Sequence, residues 1–497
     1  MVEAFDVAII GAGFAGLTAG IRLQQRGHTS FVIFERAATV GGTWRDNIYP
    51  GCAVDIPAPL YSMSFAPNPN WSRLYSSQPE ILAYLQDTVR HFELEQHIRF
   101  QTEIIKTEFV AEEGRWRLRD RAGRVTMARV VLLAIGPLNR PAMPKLPGLE
   151  KFRGKIFHSA QWDVNYDLTG KRVAVVGTGA SAIQFIPEIA PKVSQLYVFQ
   201  RSAPWVLPRP DRAFSDTERS WFRRLPLWQK LQRTFIYWRL ELNGLLFLGN
   251  ERISKLAASV ASHNLRKGLK DPELRRKATP NYKIGCKRVL LSNDYYPALA
   301  RPNVALITEG IRELTADGIV SNDGQERPID TLIFGTGFVA SSFLVELNIT
   351  GLQGRNLFEE WQASTPEAYY GATVAGFPNL LFIIGPNTGL AHNSLVHVME
   401  SQVNYMLDYL RLLEKGGPGA YLDVKPEAQR QYNEQLQQKL GTTVWASGCQ
   451  SWYLNAQGKN TTLLPALTVT FRRDTKRVKK QDYTLVKATA QQVAASV

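Results

Sequence analysis

A β-strand, a glycine turn and a helix follow one another twice in this chain of 497 residues, and this pattern constrains the fold most strongly. The first copy consists of FDVAII (5–10), GAGFAG (11–16) and LTAGIRLQQRG (17–27). A second strand, TSFVIFE, then ends at Glu35. A strand, a glycine-rich turn, a helix and a terminal acid in this order predict a dinucleotide-binding unit.

Each residue of this pattern has a physical role in binding. Gly11 permits the tight turn, Gly13 lets the backbone approach a pyrophosphate, and Gly16 lets the helix pack on the strand. The helix N-terminus offers free N–H groups and partial positive charge to the phosphates. Glu35 stands where an acid accepts a hydrogen bond from a ribose hydroxyl.

The second copy predicts a site for a different dinucleotide. KRVAVVG (171–177) is a strand, GTGASA (177–182) is a loop, and SAIQFIPEIA (181–190) is a helix. The next strand ends at Gln200 and is followed by Arg201, with no acid at this point. Because a cation there suits a 2′-phosphate, this site is expected to prefer NADPH over NADH.

Two further strands, at 130–136 and 330–338, end in glycine and are typical of late strands in dinucleotide domains. We therefore predict an α/β fold with two Rossmann-like domains, in which the NADPH domain is nested in a split FAD domain. The FAD domain comprises residues 1–140 and 332–497, and the NADPH domain comprises residues 141–331. Two such sites in one chain indicate a flavoprotein that passes hydride from NADPH to FAD.

The segment 211–280 departs from this α/β alternation. It reads as helical, with aromatic and leucine residues on one side and arginines on the other, and it carries 15 Lys/Arg against 7 Asp/Glu. This excess of eight is a large part of the chain's net charge of +15. The favoured interpretation is a packed helical insert with a solvated face; the alternatives are a roof over an apolar pocket and contact with an anionic membrane. No nucleic-acid-binding motif accompanies the charge.

The cysteines, Cys52, Cys286 and Cys449, are widely spaced and form no CxxC motif. This spacing argues against a disulfide scaffold, a zinc site or a dithiol redox pair, and it predicts three small buried thiols. The N-terminal strand shows no signal-peptide pattern, and no apolar run approaches the length of a membrane span. A cytoplasmic location is expected.

Two longer motifs carry a family resemblance. The first is FxGxxxHxxxW followed by Asp, and the second is GGxWxxxxYPGxxxD; they are formed by Phe152, Gly154, His158, Trp162 and Asp163, and by Gly41, Gly42, Trp44, Tyr49, Pro50, Gly51 and Asp55. With these motifs the chain resembles a type I Baeyer–Villiger monooxygenase, a class B flavoprotein monooxygenase. The resemblance implies an enzyme that uses NADPH and O₂ to convert ketones to esters or lactones through a C4a-peroxyflavin. In this family, His158 and Trp162 suit coupling of the two cofactor domains or plain packing.

The segment IGCKRVLLSNDYY (284–296) is similar to the family's Lys-Arg segment. The resemblance implies that Arg288 is the active-site arginine, that Asp55 orients it, and that Lys287 binds the 2′-phosphate. A fixed guanidinium stabilises an anionic peroxide and the anionic adduct with the ketone, because it cannot be deprotonated. A carboxylate beside it holds the guanidinium in place through charge-assisted hydrogen bonds.

Other segments resemble the family less closely. Tyr61 is expected near the flavin, and SGCQSWYLNAQGKN (447–460) is similar to the mobile loop, near 445–460, that covers NADPH, with Trp452 and Tyr453 at matching positions. His392 and His397 stand five apart without a carboxylate partner in the sequence, and no metal site is predicted. The predicted cofactor-binding residues are Gly11, Gly13, Phe14, Ala15, Gly16, Glu35, Gly42, Thr43, Trp44, Asp55, Tyr61, Gly177, Thr178, Gly179, Ala180, Ser181, Gln200, Arg201, Lys287 and Trp452.

Two other functions remain open from the sequence. One is a flavin-containing monooxygenase that oxygenates sulfur or nitrogen, which would share both glycine loops. The other is a non-catalytic or membrane-docking flavoprotein with 211–280 as its interaction module. The pair of Asp55 and Arg288 favours oxidation of a small-molecule ketone by O₂. The sequence does not indicate the particular ketone or the oligomeric state.

Overall fold

The structure is a computed structural model that describes residues 2–339, 347–455 and 457–487. Parts of two predicted segments, residues 340–346 and 488–497 of the second FAD-domain part and Ala456 of the mobile loop, lie outside the described residues. The helices are α1 Phe14–Gln25, α2 Thr43–Asp46, α3 Gln78–His91, α4 Ala182–Ile189, α5 Asp216–Arg224, α6 Pro226–Phe247, α7 Glu251–Gly268, α8 Pro272–Lys277, α9 Tyr295–Leu299, α10 Leu357–Ala363, α11 Leu395–Glu414, α12 Pro426–Gly441 and α13 Thr468–Asp474.

In the described part of the chain the strands form two large sheets and three small ones. They are β1 Glu3–Ile10, β2 Phe31–Phe34, β3 Ile98–Arg99, β4 Ile104–Val110, β5 Arg115–Asp120, β6 Val125–Leu133, β7 Lys155–His158, β8 Arg172–Val176, β9 Gln195–Phe199, β10 Val206–Leu207, β11 Leu290–Leu291, β12 Val304–Ile307, β13 Ile311–Leu314, β14 Gly318–Ser321, β15 Glu326–Pro328, β16 Thr331–Phe334, β17 Asn348–Thr350, β18 Leu380–Phe382, β19 Tyr421–Val424 and β20 Tyr483–Val486.

The first large sheet contains β1 at its centre. Its strand order among the described residues is β17-β4-β5-β6-β1-β2-β3, and β18 pairs with β6. The neighbours of β1 are both parallel to it, and its last four residues are buried. Parallel strands covered on both faces are rich in apolar residues, as in the DVAII run. This arrangement is the Rossmann-like architecture predicted from the first glycine loop.

The second large sheet is wholly parallel, with the order β12-β9-β8-β16-β7. Strand β16 lies between β8 and β7, so it belongs to this sheet. The predicted boundary between residues 331 and 332 falls within this strand. The two sheets confirm the predicted fold class, and the division into domains remains a prediction.

The family motif at 152–163 lies in and beside β7. His158 is fully buried, and its Nδ1 accepts a hydrogen bond from the N–H of Ala160. The ring of Trp162 packs against Phe157 and Phe185, with centroids 5.1 and 5.3 Å apart. Both motif side chains are thus packed within the second sheet and its helix α4.

The predicted helical insert consists of α5, α6, α7 and α8. The favoured interpretation was a packed insert with a solvated face. The structure differs from it, since the apolar residues Leu227, Phe235 and Leu242 on α6 are each more than 60% exposed. The inner face of α6 carries buried Ile236, which packs with Leu60 in a small cluster. Among the described residues no helix combines the length and apolarity needed to cross a bilayer.

Candidate functional site

The first glycine loop lies at the carboxyl end of β1. Gly11 has a φ of +107°, and a Cβ there would lie 2.7 Å from the carbonyl oxygen of Ala134. At Gly13 a Cβ would meet only Gly42, at 3.8 Å, so there is space for a close ligand. Helix α1 begins at Phe14, earlier than predicted, and Gly13 supplies no side-chain cap. The first N–H groups of α1 therefore remain available to a diphosphate, which fits FAD.

Glu35 is held beside this loop by three hydrogen bonds. Its carboxylate accepts from the N–H groups of Ala12 and Ala37, each at 2.9 Å, and from the guanidinium of Arg45 at 3.0 Å. A carboxylate has about four acceptor positions, so one remains for a ribose hydroxyl. The position of Glu35 fits the role predicted for it.

The second motif brings aromatic side chains to the same loop. Gly42 adopts a φ of +52°, and a Cβ there would lie 3.2 Å from the Cα of Gly13. Trp44, on the short helix that begins at Thr43, donates from its indole N–H to the hydroxyl oxygen of Tyr61 at 3.1 Å. Phe14 lies edge-on to Tyr61, with ring centroids 5.2 Å apart. These residues form an apolar wall next to the diphosphate loop.

The second glycine loop repeats the geometry of the first. Gly177 has a φ of +107°, and a Cβ at Gly179 would have its nearest neighbour 3.9 Å away. Ala180 and Ser181 end the loop, and helix α4 begins at Ala182. The side chain of Ser181 makes no capping hydrogen bond. Thr178 is buried and donates to the carbonyl of Ser202 at 3.4 Å. The loop therefore has the open N-terminus that a second diphosphate needs.

Two cations meet beside the second loop. The ammonium of Lys287 donates to the hydroxyl of Ser202 at 2.9 Å. Burial and, after it, the positive charge of Arg201 lower the pKa of Lys287. Two cations that repel each other are stabilised by an anion that binds both, so the pair fits a 2′-phosphate. Gln200, which was also predicted to bind the cofactor, is buried, and its side-chain amide donates to the carbonyl of Lys277.

Gln184, which sequence reasoning missed, attaches the YPG segment to α4. Its side chain accepts from the hydroxyl of Tyr49 at 2.9 Å and donates to the carbonyl of Ala53 at 3.0 Å. Gly51 lies against the carbonyl of Gln184, where a Cβ would come within 2.7 Å. Because Asp55 follows two residues after Ala53, these contacts hold the segment of Asp55 close to α4. A glutamine inside a helical pattern gives no sequence signal of this role.

Asp55 and Arg288 meet as the resemblance implies. The Nη2 group of Arg288 donates to Oδ2 of Asp55, and each side chain keeps about a third of its surface exposed. The negative charge of Asp55 raises the pKa of Arg288 above its ordinary value, against the opposing effect of burial. Burial raises the pKa of the nearby Tyr61 to about 12, so its hydroxyl stays protonated. A fixed cation and a protonated phenol therefore lie within electrostatic range of each other.

In the described part of the loop at 447–460, Tyr453 rather than Trp452 is buried. Tyr453 is 1% exposed and lies within electrostatic range of Arg288 and Asp55. Burial raises the pKa of Tyr453 to about 12. Trp452 is 47% exposed, and its ring is tilted by 51° to that of Tyr453, with centroids 4.6 Å apart. Trp452 was the residue predicted to bind the cofactor, whereas the structure buries Tyr453; a cofactor contact of Trp452 stays a prediction.

The prediction of three free thiols is wrong. Cys286 and Cys449 form a disulfide, with their Cα atoms 6.2 Å apart. Cys52 is the free cysteine, and burial raises the pKa of its thiol to about 11. The two bonded residues are 163 positions apart, so their spacing carried no sign of the contact. The disulfide bonds Cys449 of the loop at 447–460 to Cys286, the residue that precedes Lys287.

The expectation that His392 has no carboxylate partner is also wrong. Nε2 of His392 lies 3.6 Å from the carboxylate of Glu241, on the buried face of α6. Burial works to raise the pKa of Glu241, but the nearby ring of His392 and hydrogen bonds from Thr468, Val469 and Asn393 lower it to about 2. Glu241 is thus a buried anion that joins α6 to the loop before α11. Within the described residues no cluster of three side chains suits a metal ion.

Comparisons with known proteins agree with this geometry. Residues 4–241 match the profile of the flavin-binding monooxygenase-like family. The chain is 51% identical over 481 residues to a Baeyer–Villiger monooxygenase of Pseudomonas aeruginosa, with 96% of this chain and 91% of that protein covered.

Two solved structures share the whole fold. One is cyclohexanone monooxygenase from Rhodococcus sp. Phi1 bound to NADP⁺, with a TM-score of 0.85 and 29% identity. The other is OTEMO in complex with FAD and NADP, with a TM-score of 0.87 and 26% identity. Each comparison covers 98% of this chain and 100% of the solved chain.

Proposed function

We propose that this chain, which belongs to the Baeyer–Villiger monooxygenase family, uses Arg288 and Asp55 to convert ketones to esters or lactones with FAD, NADPH and O₂. The observation that carries the proposal is the ion pair between these two side chains, which lies within electrostatic range of Tyr61 and Tyr453. When bound, FAD activates oxygen after NADPH has supplied a hydride.

Arg288 provides the positive charge that ketone oxygenation needs. Insertion of oxygen next to a carbonyl passes through anionic species, and a preorganised cation lowers their free energy. Because the negative charge of Asp55 raises the pKa of Arg288, the guanidinium stays charged at neutral pH. Asp55 fixes the orientation of the guanidinium, so no reorganisation is required when the negative charge develops.

The two nucleotide loops divide the binding of the cofactors. The loop with Gly13, together with Glu35, suits the diphosphate and ribose of FAD. The loop with Gly179 suits NADPH, and Lys287 with Arg201 suits its 2′-phosphate. We expect the loop predicted at 447–460 to cover the bound nucleotide; in its described part Tyr453 is buried. A cytoplasmic location fits the use of NADPH and is tested by cell fractionation.

A substrate panel tests the proposal. Purified protein with NADPH is given cyclic and linear ketones, sulfides and amines, and products are identified by mass spectrometry. We expect ketones to gain one oxygen atom as lactones or esters, while hydrogen peroxide formation measures NADPH oxidation without a ketone. If sulfides or amines gain oxygen and no ketone does, the assignment fails in favour of heteroatom oxygenation.

A further inference from the structure

Helix α6 presents an unpartnered apolar stripe to solvent. Six of its large apolar side chains are each at least 50% exposed: Leu227, Trp228, Leu231, Phe235, Trp238 and Leu242. At about 100° per residue these positions fall within an arc of about 100° around the helix axis. The opposite side of α6 is buried against the protein, through Ile236, Leu240 and Gly244. The stripe is therefore an outward face rather than a part of the core.

Basic residues border this stripe on both sides. Exposed Lys230 and Arg239 occupy the helix positions beyond its two edges. From residue 219 to residue 250 the acidic residue in the sequence is Glu241, and it is buried with hydrogen-bond donors around it. No exposed acid in this range opposes the cations. An apolar stripe with tryptophans and a basic border is typical of a helix that lies in the surface of an anionic bilayer.

A basic cavity is lined in part by helix α13, which packs against α6. Helix α13 contacts the flank of α6, where the hydroxyls of Tyr237 and Thr468 are 3.1 Å apart and Glu241 accepts from the N–H of Val469 at 2.9 Å. The same helix contributes to a cavity of about 690 Å³, whose basic lining residues are Arg26, Arg411, Arg472, Arg473, Lys476 and Arg477. Asp408, the acid in this lining, accepts from the N–H of Val478 at 2.8 Å. Such a cavity has the charge to bind lipid phosphates.

We propose that the α6 stripe and this basic cavity together dock the enzyme on an anionic lipid bilayer. The charge pattern favours lipid over a second copy of the chain, because a symmetric pair would bring Lys230 and Arg239 of each copy near those of the other. The buried face of the same helix meets the loop at His392 and Asn393. Docking thus places the bilayer one helix away from the loop that precedes α11.

Vesicle sedimentation of the holoenzyme tests this proposal. The vesicles are pure phosphatidylcholine, or phosphatidylcholine with an equal part of phosphatidylglycerol. We expect the protein to sediment with the anionic vesicles, with salt weakening the binding, and to stay largely free of the neutral ones. The emission of the protein's tryptophans should shift to shorter wavelength on binding, as Trp228 and Trp238 leave water. No sedimentation with anionic vesicles at low salt overturns the proposal.

Two variants locate the docking surface. Leu231→Ser combined with Phe235→Ser and Leu242→Ser removes the centre of the stripe, and we expect the bound fraction to fall at least about ten-fold. Val164→Ser combined with Met143→Ser removes exposed apolar residues elsewhere and should leave binding unchanged. If both variants bind like the wild type, the stripe is not the docking surface. Thermal unfolding and flavin content, measured in parallel, show that each variant is folded.

Two variants with the same change of net charge complete the test. Lys476→Glu with Arg477→Glu should weaken binding to anionic vesicles, whereas Lys145→Glu with Lys151→Glu makes the same change of charge on other exposed lysines. If both variants lose vesicle binding equally, the net charge of the protein alone attracts it to the vesicles. This result would contradict the role of the cavity. A dimer in sedimentation velocity that the stripe variant dissociates, without vesicle binding, would assign the stripe to a second copy and overturn the proposal.

Discussion

Arg288 donates a hydrogen bond to the carboxylate of Asp55, although 233 residues separate them along the chain. Gln184 holds the segment of Asp55 against α4. Two residues before Arg288, Cys286 forms a disulfide with Cys449 of the 447–460 loop. The ion pair is thus fixed from both sides. Its geometry leads to predictions on catalysis, cofactor choice and loop closure.

Replacement of the active-site cation should separate flavin reduction from ketone oxygenation. We expect Arg288→Ala to bind flavin and accept hydride from NADPH, but to lose at least about 100-fold in ester or lactone formation, because the anionic species loses its stabilising charge. Stopped-flow bleaching of the flavin measures the first step, and product analysis measures the second. Arg312→Ala, at an exposed arginine paired with Glu313, is the control. An Arg288→Ala enzyme with full ketone oxygenation would remove this residue from the chemistry.

Lys287 should determine the preference for NADPH. We expect Lys287→Ala to raise the KM for NADPH about ten-fold or more, since a hydrogen bond to a charged group contributes roughly 1.5–3 kcal/mol. The KM for NADH, which lacks the 2′-phosphate, should change little. Lys283→Ala, at an exposed lysine in the same segment, is the matched control. Equal effects of Lys287→Ala on both nucleotides would show that Lys287 does not bind the phosphate.

The disulfide should restrain the loop that covers the nucleotide. Thiol titration of the denatured protein is expected to find one free thiol before reduction and three after it. We expect reduction, or Cys449→Ser, to weaken NADP⁺ binding about five-fold, since ordering one further side chain costs roughly 1 kcal/mol. Reductant should have no further effect on Cys449→Ser, which is the internal control. Three thiols without reduction would contradict the disulfide.

Asp423 should make stability depend on pH. Burial raises the pKa of Asp423 from 3.8 to about 6, although its carboxylate accepts from the N–H of Gly376. Since the folded-state pKa is the higher one, the contribution to stability is fully present below pH 3.8 and is lost as the pH rises through about 6. The loss corresponds to about 3 kcal/mol.

Asp423→Asn removes this titration. The variant should unfold at a higher temperature than the wild type at about pH 7.5, and the difference should shrink towards about pH 4. Asp317→Asn, at an exposed carboxylate paired with Arg153, should change the unfolding temperature by a similar small amount at both pH values. A pH-independent effect of Asp423→Asn would show that the carboxyl is not protonated in the folded protein.

Local patterns predicted the parts of the site that depend on neighbours in the chain. The glycine loops at 11–16 and 177–182 follow their strands as expected, because turn, helix start and strand end lie within about 20 residues of one another. The positions of Asp55 and Arg288 came from motif resemblance rather than from these patterns. The prediction chose Trp452 as the cofactor-binding aromatic residue of the loop, but the structure buries Tyr453, because burial of one aromatic residue over its neighbour depends on packing.

The sequence by itself determined the two Rossmann-like units, the two nucleotide loops and the candidate chemistry at Arg288. Only the tertiary structure decided that Cys286 meets Cys449, that Glu241 meets His392, and that the apolar stripe of α6 faces outward. The physical reason is the range of the interactions. Periodicity along a helix defines its faces, but the contacts that cover a face come from segments 150 or so residues away, and only packing brings those segments together.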